Sequence, residues 1–162
     1  MKQRIELNYK GKTVNGIRIT VSSQFPTNID KVWNKIQDIE TLRYIAKPKV
    51  KFNLIGVLPS QWKAGDIYHF KTWMHGFIPI GKHTIKVISI ERDKGKIYTN
   101  EHNRIISIWN HLIIMQDINN SETDYTDIVD IYAGILTPFI AWWSIKYYKH
   151  RQKKWRSLSK NL

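Results

Sequence analysis

The chain has 162 residues, 42% of them hydrophobic and 12% aromatic, a composition that suits one compact domain with a sizeable core and argues against a multidomain enzyme. It contains no cysteine, which removes disulfide scaffolds, thiolate metal sites and cysteine nucleophiles. The formal net charge of +13 is unevenly spread, since seven Lys and Arg and no acid follow Ile131, whereas Asp117 to Asp130 holds five acids and no base.

Residues 1 to 14 read as an N-terminal extension or an extra strand ahead of a core over 15 to 160. Met1 to Lys12 lacks the apolar run of a secretory signal, which predicts a cytoplasmic protein. Ile17 to Val21 alternates apolar and polar residues as a half-buried strand that ends at Phe25-Pro26. A helix follows, capped by Thr27 with Asp30 three residues on, its stripe formed by Ile29, Val32, Trp33 and Ile36. Asp38 caps a second short helix that carries Leu42 and Ile45 and ends near Lys47-Pro48.

Six strands are predicted next: Val50 to Val57, Gly65 to Met74, Pro79 to Glu91, Lys96 to Asn103, Ile105 to Gln116 and Glu122 to Tyr132. The connections between them are short and rich in turn residues, which favours an antiparallel meander. Thr137 and Pro138 then form a cap and first-turn start to a closing helix, Pro138 to Leu158, with Leu136, Ile140, Trp143 and Tyr147 at helical spacing. The longest apolar stretch, Ala133 to Ile145, is interrupted at Thr137-Pro138 and is too short to span a bilayer.

The order strand, two helices, six strands, long helix resembles the START-like (SRPBCC) superfamily. Its carriers are Ile19 to Pro26 with Ile29-Asp30-Lys31-Val32-Trp33, then Asp38 to Leu42, and in the rear half Ile108-Trp109-Asn110-His111, Thr123 to Asp130, Gly134 and Tyr148-Lys149-His150-Arg151-Gln152. These look like the Trp-x-His, Thr…Asp-x-Val and Tyr-x-x-Arg pattern of bacterial members related to polyketide cyclases. The chain departs from that subgroup in its Lys/Trp-rich tail and in Ile131-Tyr132-Ala133, where a Tyr and a Pro are often found. The resemblance implies an α+β helix-grip fold, a curved antiparallel sheet wrapped around a long C-terminal helix and enclosing an apolar cavity. It also implies a ligand-binding or lipid-transfer module more often than an enzyme.

A turn centred on Asn119 would place His111 opposite Asp127, Ile113 opposite Tyr125 and Trp109 opposite Val129 on one sheet face. Inside a cavity the His111–Asp127 pair could anchor a ligand or act as acid and base; equally, the two could simply satisfy each other. The residues expected to line the cavity are Trp109, His111, Ile113, Tyr125, Asp127 and Val129 from the sheet, with Ile140, Trp143 and Tyr147 from the helix. Phe77 and Ile78 stand at its mouth, because bulky apolar residues in the turn Met74 to Pro79 are out of place unless they serve a portal or tuck into the core.

The leading reading is a binding or transport module for a small hydrophobic or amphipathic ligand, lipid- or polyketide-like, with no catalysis and no cofactor. An aromatase/cyclase-like enzyme using His111 and Asp127 as acid and base is the alternative. A third reading is a peripheral lipid-exchange protein that docks on anionic membrane through Lys149, Arg151, Lys153, Lys154, Trp155 and Arg156. The six histidines show no metal-ligand spacing, and no helix-turn-helix, zinc-finger or RNP-like pattern indicates a nucleic-acid partner.

Overall fold

In a computed structural model, which describes residues 1–57 and 59–162, the eight strands form one antiparallel sheet in the order β1-β2-β8-β7-β6-β5-β4-β3. The chain runs β1 (Lys2–Tyr9), β2 (Lys12–Phe25), α1 (Ile29–Ile36), α2 (Ile39–Ala46), β3 (Val50–Leu54), β4 (Ile67–Met74), β5 (Ile78–Glu91), β6 (Lys96–His102), β7 (Ile108–Asp117), β8 (Thr123–Tyr132) and α3 (Thr137–Ser159). From β3 to β8 it is the predicted meander. The two short helices carry the chain between β2 and β3, which lie in different parts of the sheet.

Residues 1 to 14 are not a loose extension. Lys2–Tyr9 forms a hairpin with β2 across Lys10-Gly11, both with left-handed backbone, φ 53° and 77°. Two such residues give a turn whose twist matches the strands it joins, and Gly11 adopts the conformation without strain. Gly95, after a 3-10 turn at Arg92–Lys94, is also left-handed, and a Cβ there would collide with the Met115 carbonyl.

Two caps differ from expectation. Asn28, not Thr27, caps α1, its Oδ1 accepting from the Asp30 amide at 2.7 Å. Thr27 is buried, and its carbonyl accepts from the Thr123 hydroxyl at 2.8 Å, tying the helix entry to β8. Thr137 lies inside α3 instead of capping it. Its hydroxyl oxygen accepts from the Ala133 amide at 2.9 Å and donates to the Gly134 carbonyl at 2.7 Å, so it fastens the turn before the helix. Leu136 already has helical backbone angles, which moves the helix start forward by one residue.

The β7–β8 register also differs. Ile113 faces Asp127, His111 faces Val129 and Trp109 faces Ile131, a slip of two residues from the expected pairing. The turn centres on Asn120 instead of Asn119: the Ile118 amide donates to the Glu122 carbonyl, and Asn120 takes the left-handed conformation. Side chains alternate with period two, so a slip of two leaves every one on its predicted face.

The inward face of the sheet packs on α3. One part of the core joins Ile19, Phe70, Val129 and Ile131 to Ala141 and Tyr148. The other gathers Phe25, Val32, Trp33, Met115, Tyr125 and Trp155 where α1 meets the far end of α3. The buried stripe of α3 continues through Arg151, Gln152 and Trp155, the segment expected to be a basic docking surface. Trp155 is fully buried, stacked 5.9 Å from Phe25, so neither it nor Arg151 belongs to a surface patch. Lys149, Lys153 and Arg156 are exposed, and Lys154 lies 4.9 Å above the Tyr44 ring. Among the described residues no helix is long and apolar enough to cross a membrane.

Candidate functional site

Between α3 and the inward faces of β3 to β7 lies a cavity of about 230 Å³. Its wall is mostly apolar: Phe52, Ile85, Val87, Ile113, Ile140 and Trp143 are typical. Leu42 and Ile45 of α2 close one side, and Trp62 reaches in from the β3–β4 connection. At the rim Ile78 and Ile105 line the space while remaining 46% and 44% exposed, which marks the mouth.

Several expected residues take these places: Trp109, His111, Ile113, Ile140, Trp143, Tyr147 and, at the rim, Ile78 all line the cavity. Phe77 does not; it is 75% exposed at the tip of the β4–β5 turn. Tyr125, Asp127 and Val129 point to the inner side of the sheet but stand behind the wall, covered by α3 and its side chains. The reason is position across the sheet. Strands β2 and β8 lie beneath the helix, β2 the more closely, whereas the space opens beside it, over β3 to β7.

The polar end of the cavity is a connected network. His111 Nε2 is 2.7 Å from Asp127 Oδ1, and its Nδ1 is 3.8 Å from Glu101 Oε1. Gln152 donates through Nε2 to Asp127 Oδ2 at 2.8 Å and to the Val21 carbonyl at 2.7 Å, while its Oε1 accepts from Ser23. Glu101 accepts from the Thr99 hydroxyl and is held by His83 Nε2, each at 2.8 Å. Asn103 fixes the His83 tautomer: its Oδ1 accepts from the Ile105 and Ile106 amides, which turns its Nδ2 donor toward His83 Nδ1 at 3.3 Å. A ring that accepts at Nδ1 carries its proton at Nε2, so a neutral His83 donates to Glu101.

Burial works against charge on His111, but the bonds to Asp127 and Glu101 more than offset it and raise its pKa above the ordinary 6.5. For Glu101 burial pushes upward, and His111 and His83 outweigh it to hold the carboxyl well below its usual range. Arg151 is 7% exposed and lines the cavity. Burial opposes its charge, yet Tyr147, Tyr148 and Asp127 around it keep it raised and cationic. Tyr148 is itself pinned, its hydroxyl accepting from Trp109 Nε1 at 3.1 Å.

Sequence reasoning missed Arg151, Glu101, His83 and Asn103 as cavity residues. Three of them carry a readable signal. Arg151 follows Trp143 and Tyr147 at steps of four, one helix face, and Glu101 follows Ile97 and Thr99 at steps of two, one strand face. His83 precedes Ile85 and Val87 at steps of two, which puts it on the inward face of β5 with them.

No family model matches the sequence, and no curated protein matches it. Solved structures do. A START superfamily protein from Mycobacterium smegmatis aligns with a TM-score of 0.67 at 8% identity, over 89% of this chain and 97% of that one. Ara h 8.0201 gives 0.67 at 8%, over 90% and 98%. A conserved protein from Geobacillus kaustophilus gives 0.66 at 17%, over 89% and 95%. At such identities the likeness is one of architecture, and the architecture of this chain is the START-like helix-grip fold.

Proposed function

We propose that the chain binds a small hydrophobic or amphipathic molecule, lipid- or polyketide-like in chemistry, in the cavity beside α3, as a carrier or sequestering module. The observation that carries this reading is an apolar space of about 230 Å³ that opens at an apolar rim and has charged groups at one end. Apolar walls supply affinity through burial, and a few fixed polar groups orient the guest.

The aromatase/cyclase-like alternative has less support. A general base must take up a substrate proton, and the carboxylates of Asp127, 2.7 Å from Nε2, and Glu101, 3.8 Å from Nδ1, favour a His111 that already carries it. Asp127 does not reach the cavity. The pair has the features of a buried, mutually satisfied ion pair.

Octan-1-ol tests the binding reading. Trp62, Trp109 and Trp143 line the cavity, so filling it should change tryptophan emission. The expected result is a saturable change with one site per chain. An emission that does not change, or drifts linearly with added octanol, would overturn the proposal.

A further inference from the structure

The polar end of the cavity is unequally satisfied. Asp127 and Glu101 have partners from three elements, whereas Arg151 Nε and the Tyr147 hydroxyl, both buried, have no hydrogen-bond partner among the described residues. Two rings occupy the guanidinium's surroundings, Tyr148 at 4.8 Å and Tyr147 at 5.6 Å from Cζ. Stacking leaves the donors in the plane of the fork uncommitted. A buried donor left without an acceptor is costly, and such groups in a folded protein call for an explanation.

The explanation lies in where Arg151 stands. Helix α3 places Ile140 and Trp143 against the open part of the cavity, and Arg151 follows three turns later, roughly 16 Å along the axis at 1.5 Å per residue. Trp155, one turn beyond, is fully buried against Phe25 and closes that end. The charged groups that reach the cavity wall are Glu101, His111 and Arg151. Glu101 already accepts from His83 and Thr99, so the charged group on the wall with an unmade hydrogen bond is the cation Arg151.

Volume sets the size of the guest. At about 30 Å³ for each water-sized group, a space of 230 Å³ holds roughly eight such groups. That suits a short apolar body and not a two-chain lipid.

We propose that the cavity takes a small monocarboxylate of about eight carbons in all, its carboxylate seated on Arg151 with the Tyr147 hydroxyl as second donor. This rests on the reading of the cavity as a binding site and names the class of guest. A carboxylate matches the planar guanidinium fork, and the apolar body lies along Ile85, Val87, Ile113 and Trp143 toward the mouth.

The test compares sodium octanoate with octan-1-ol by titration calorimetry at neutral pH. The two share a chain and differ in charge. In the wild type octanoate should bind about tenfold tighter or more, the worth of a charge-assisted bond over a neutral one. Arg151→Met should bring the two affinities together, and Tyr147→Phe should weaken octanoate severalfold and by more than it weakens octanol. Equal or tighter binding of octanol to the wild type overturns the proposal, as does an octanoate preference that survives in folded Arg151→Met. Should that variant fail to fold by circular dichroism, the wild-type pair and Tyr147→Phe decide. Octanol binding without an octanoate preference removes this inference alone; no saturable binding of either compound removes the binding reading with it.

Discussion

His111 is faced by Asp127 from β8, Glu101 from β6, and Arg151 and Tyr148 from α3. Its raised pKa makes a contribution to stability that is complete below 6.5, its value in the unfolded chain, and is lost as pH rises through the higher folded value. Glu101 acts in the opposite direction. Its contribution is complete above 4.5 and is lost as pH falls toward its depressed folded value. Together they predict a melting temperature that is highest between these two values and declines on the alkaline side above 6.5. Calorimetric melting across that range checks it, and His111→Gln should flatten the alkaline limb. A wild-type profile that stays level from pH 6.5 to pH 9 would contradict the assignment.

Among the elements, α3 shows how one helix serves both core and cavity. Trp155 is fully buried between Phe25 and Tyr125, at 5.9 Å and 6.1 Å, and is the largest side chain sealed in this part of the core. Trp155→Ala should cost about 3–5 kcal/mol in urea unfolding, the range for truncating a large buried aromatic. A loss below about 1 kcal/mol would mean that the helix end is not packed as described. The same helix shows what a sequence conveys and what it conceals. Its extent was legible to within a residue at each end, because Ile140, Trp143 and Tyr147 keep one face and Thr137-Pro138 announces the start. Its C-terminal half was misread because five basic residues, Lys149 to Arg156, suggest solvent, while the buried stripe runs on beneath them through Arg151 and Trp155. On the sheet, alternation gave the inward face of β7 and β8 correctly. It could not say which of those inward residues the helix would cover, since that depends on where α3 crosses the strands. Residues 1 to 14 stay open between an extension and an extra strand for a different reason: Lys10-Gly11 is a weaker turn signal than Asn-Gly, and Lys10 takes a left-handed conformation that few lysines adopt.

For the whole molecule, the cavity mouth is the point at which the fold meets its surroundings. Ile78 opens β5 and Ile105 lies in the β6–β7 connection, and the first turns of α3 expose Phe139 and Trp142 nearby in sequence to the lining residues Ile140 and Trp143. Such a rim lets an apolar guest shed water in stages as it enters. Ile78→Asp should therefore weaken octanol binding by roughly four- to fifteenfold, one or two methylene contacts at about 0.8 kcal/mol each. Stability should move by no more than about 0.5 kcal/mol, as for other exposed positions. Unchanged affinity would place the entry path elsewhere.

The pairing of β2 with β8 governs how the chain reaches this state. Ile17 meets Ile131 and Phe25 meets Thr123, partners about a hundred residues apart in the chain, whereas β3 to β8 pair with sequence neighbours. Closing so long a loop costs entropy before any contact offsets it, so the meander can assemble early and the β2–β8 seam is a late event in folding. Until that seam closes, Gln152 lacks the Val21 carbonyl and Ser23, and the network that borders Arg151 is incomplete. A guest that recognises only the finished cavity leaves the refolding rate unchanged and slows unfolding, acting as a kinetic latch on a sheet that zips shut last.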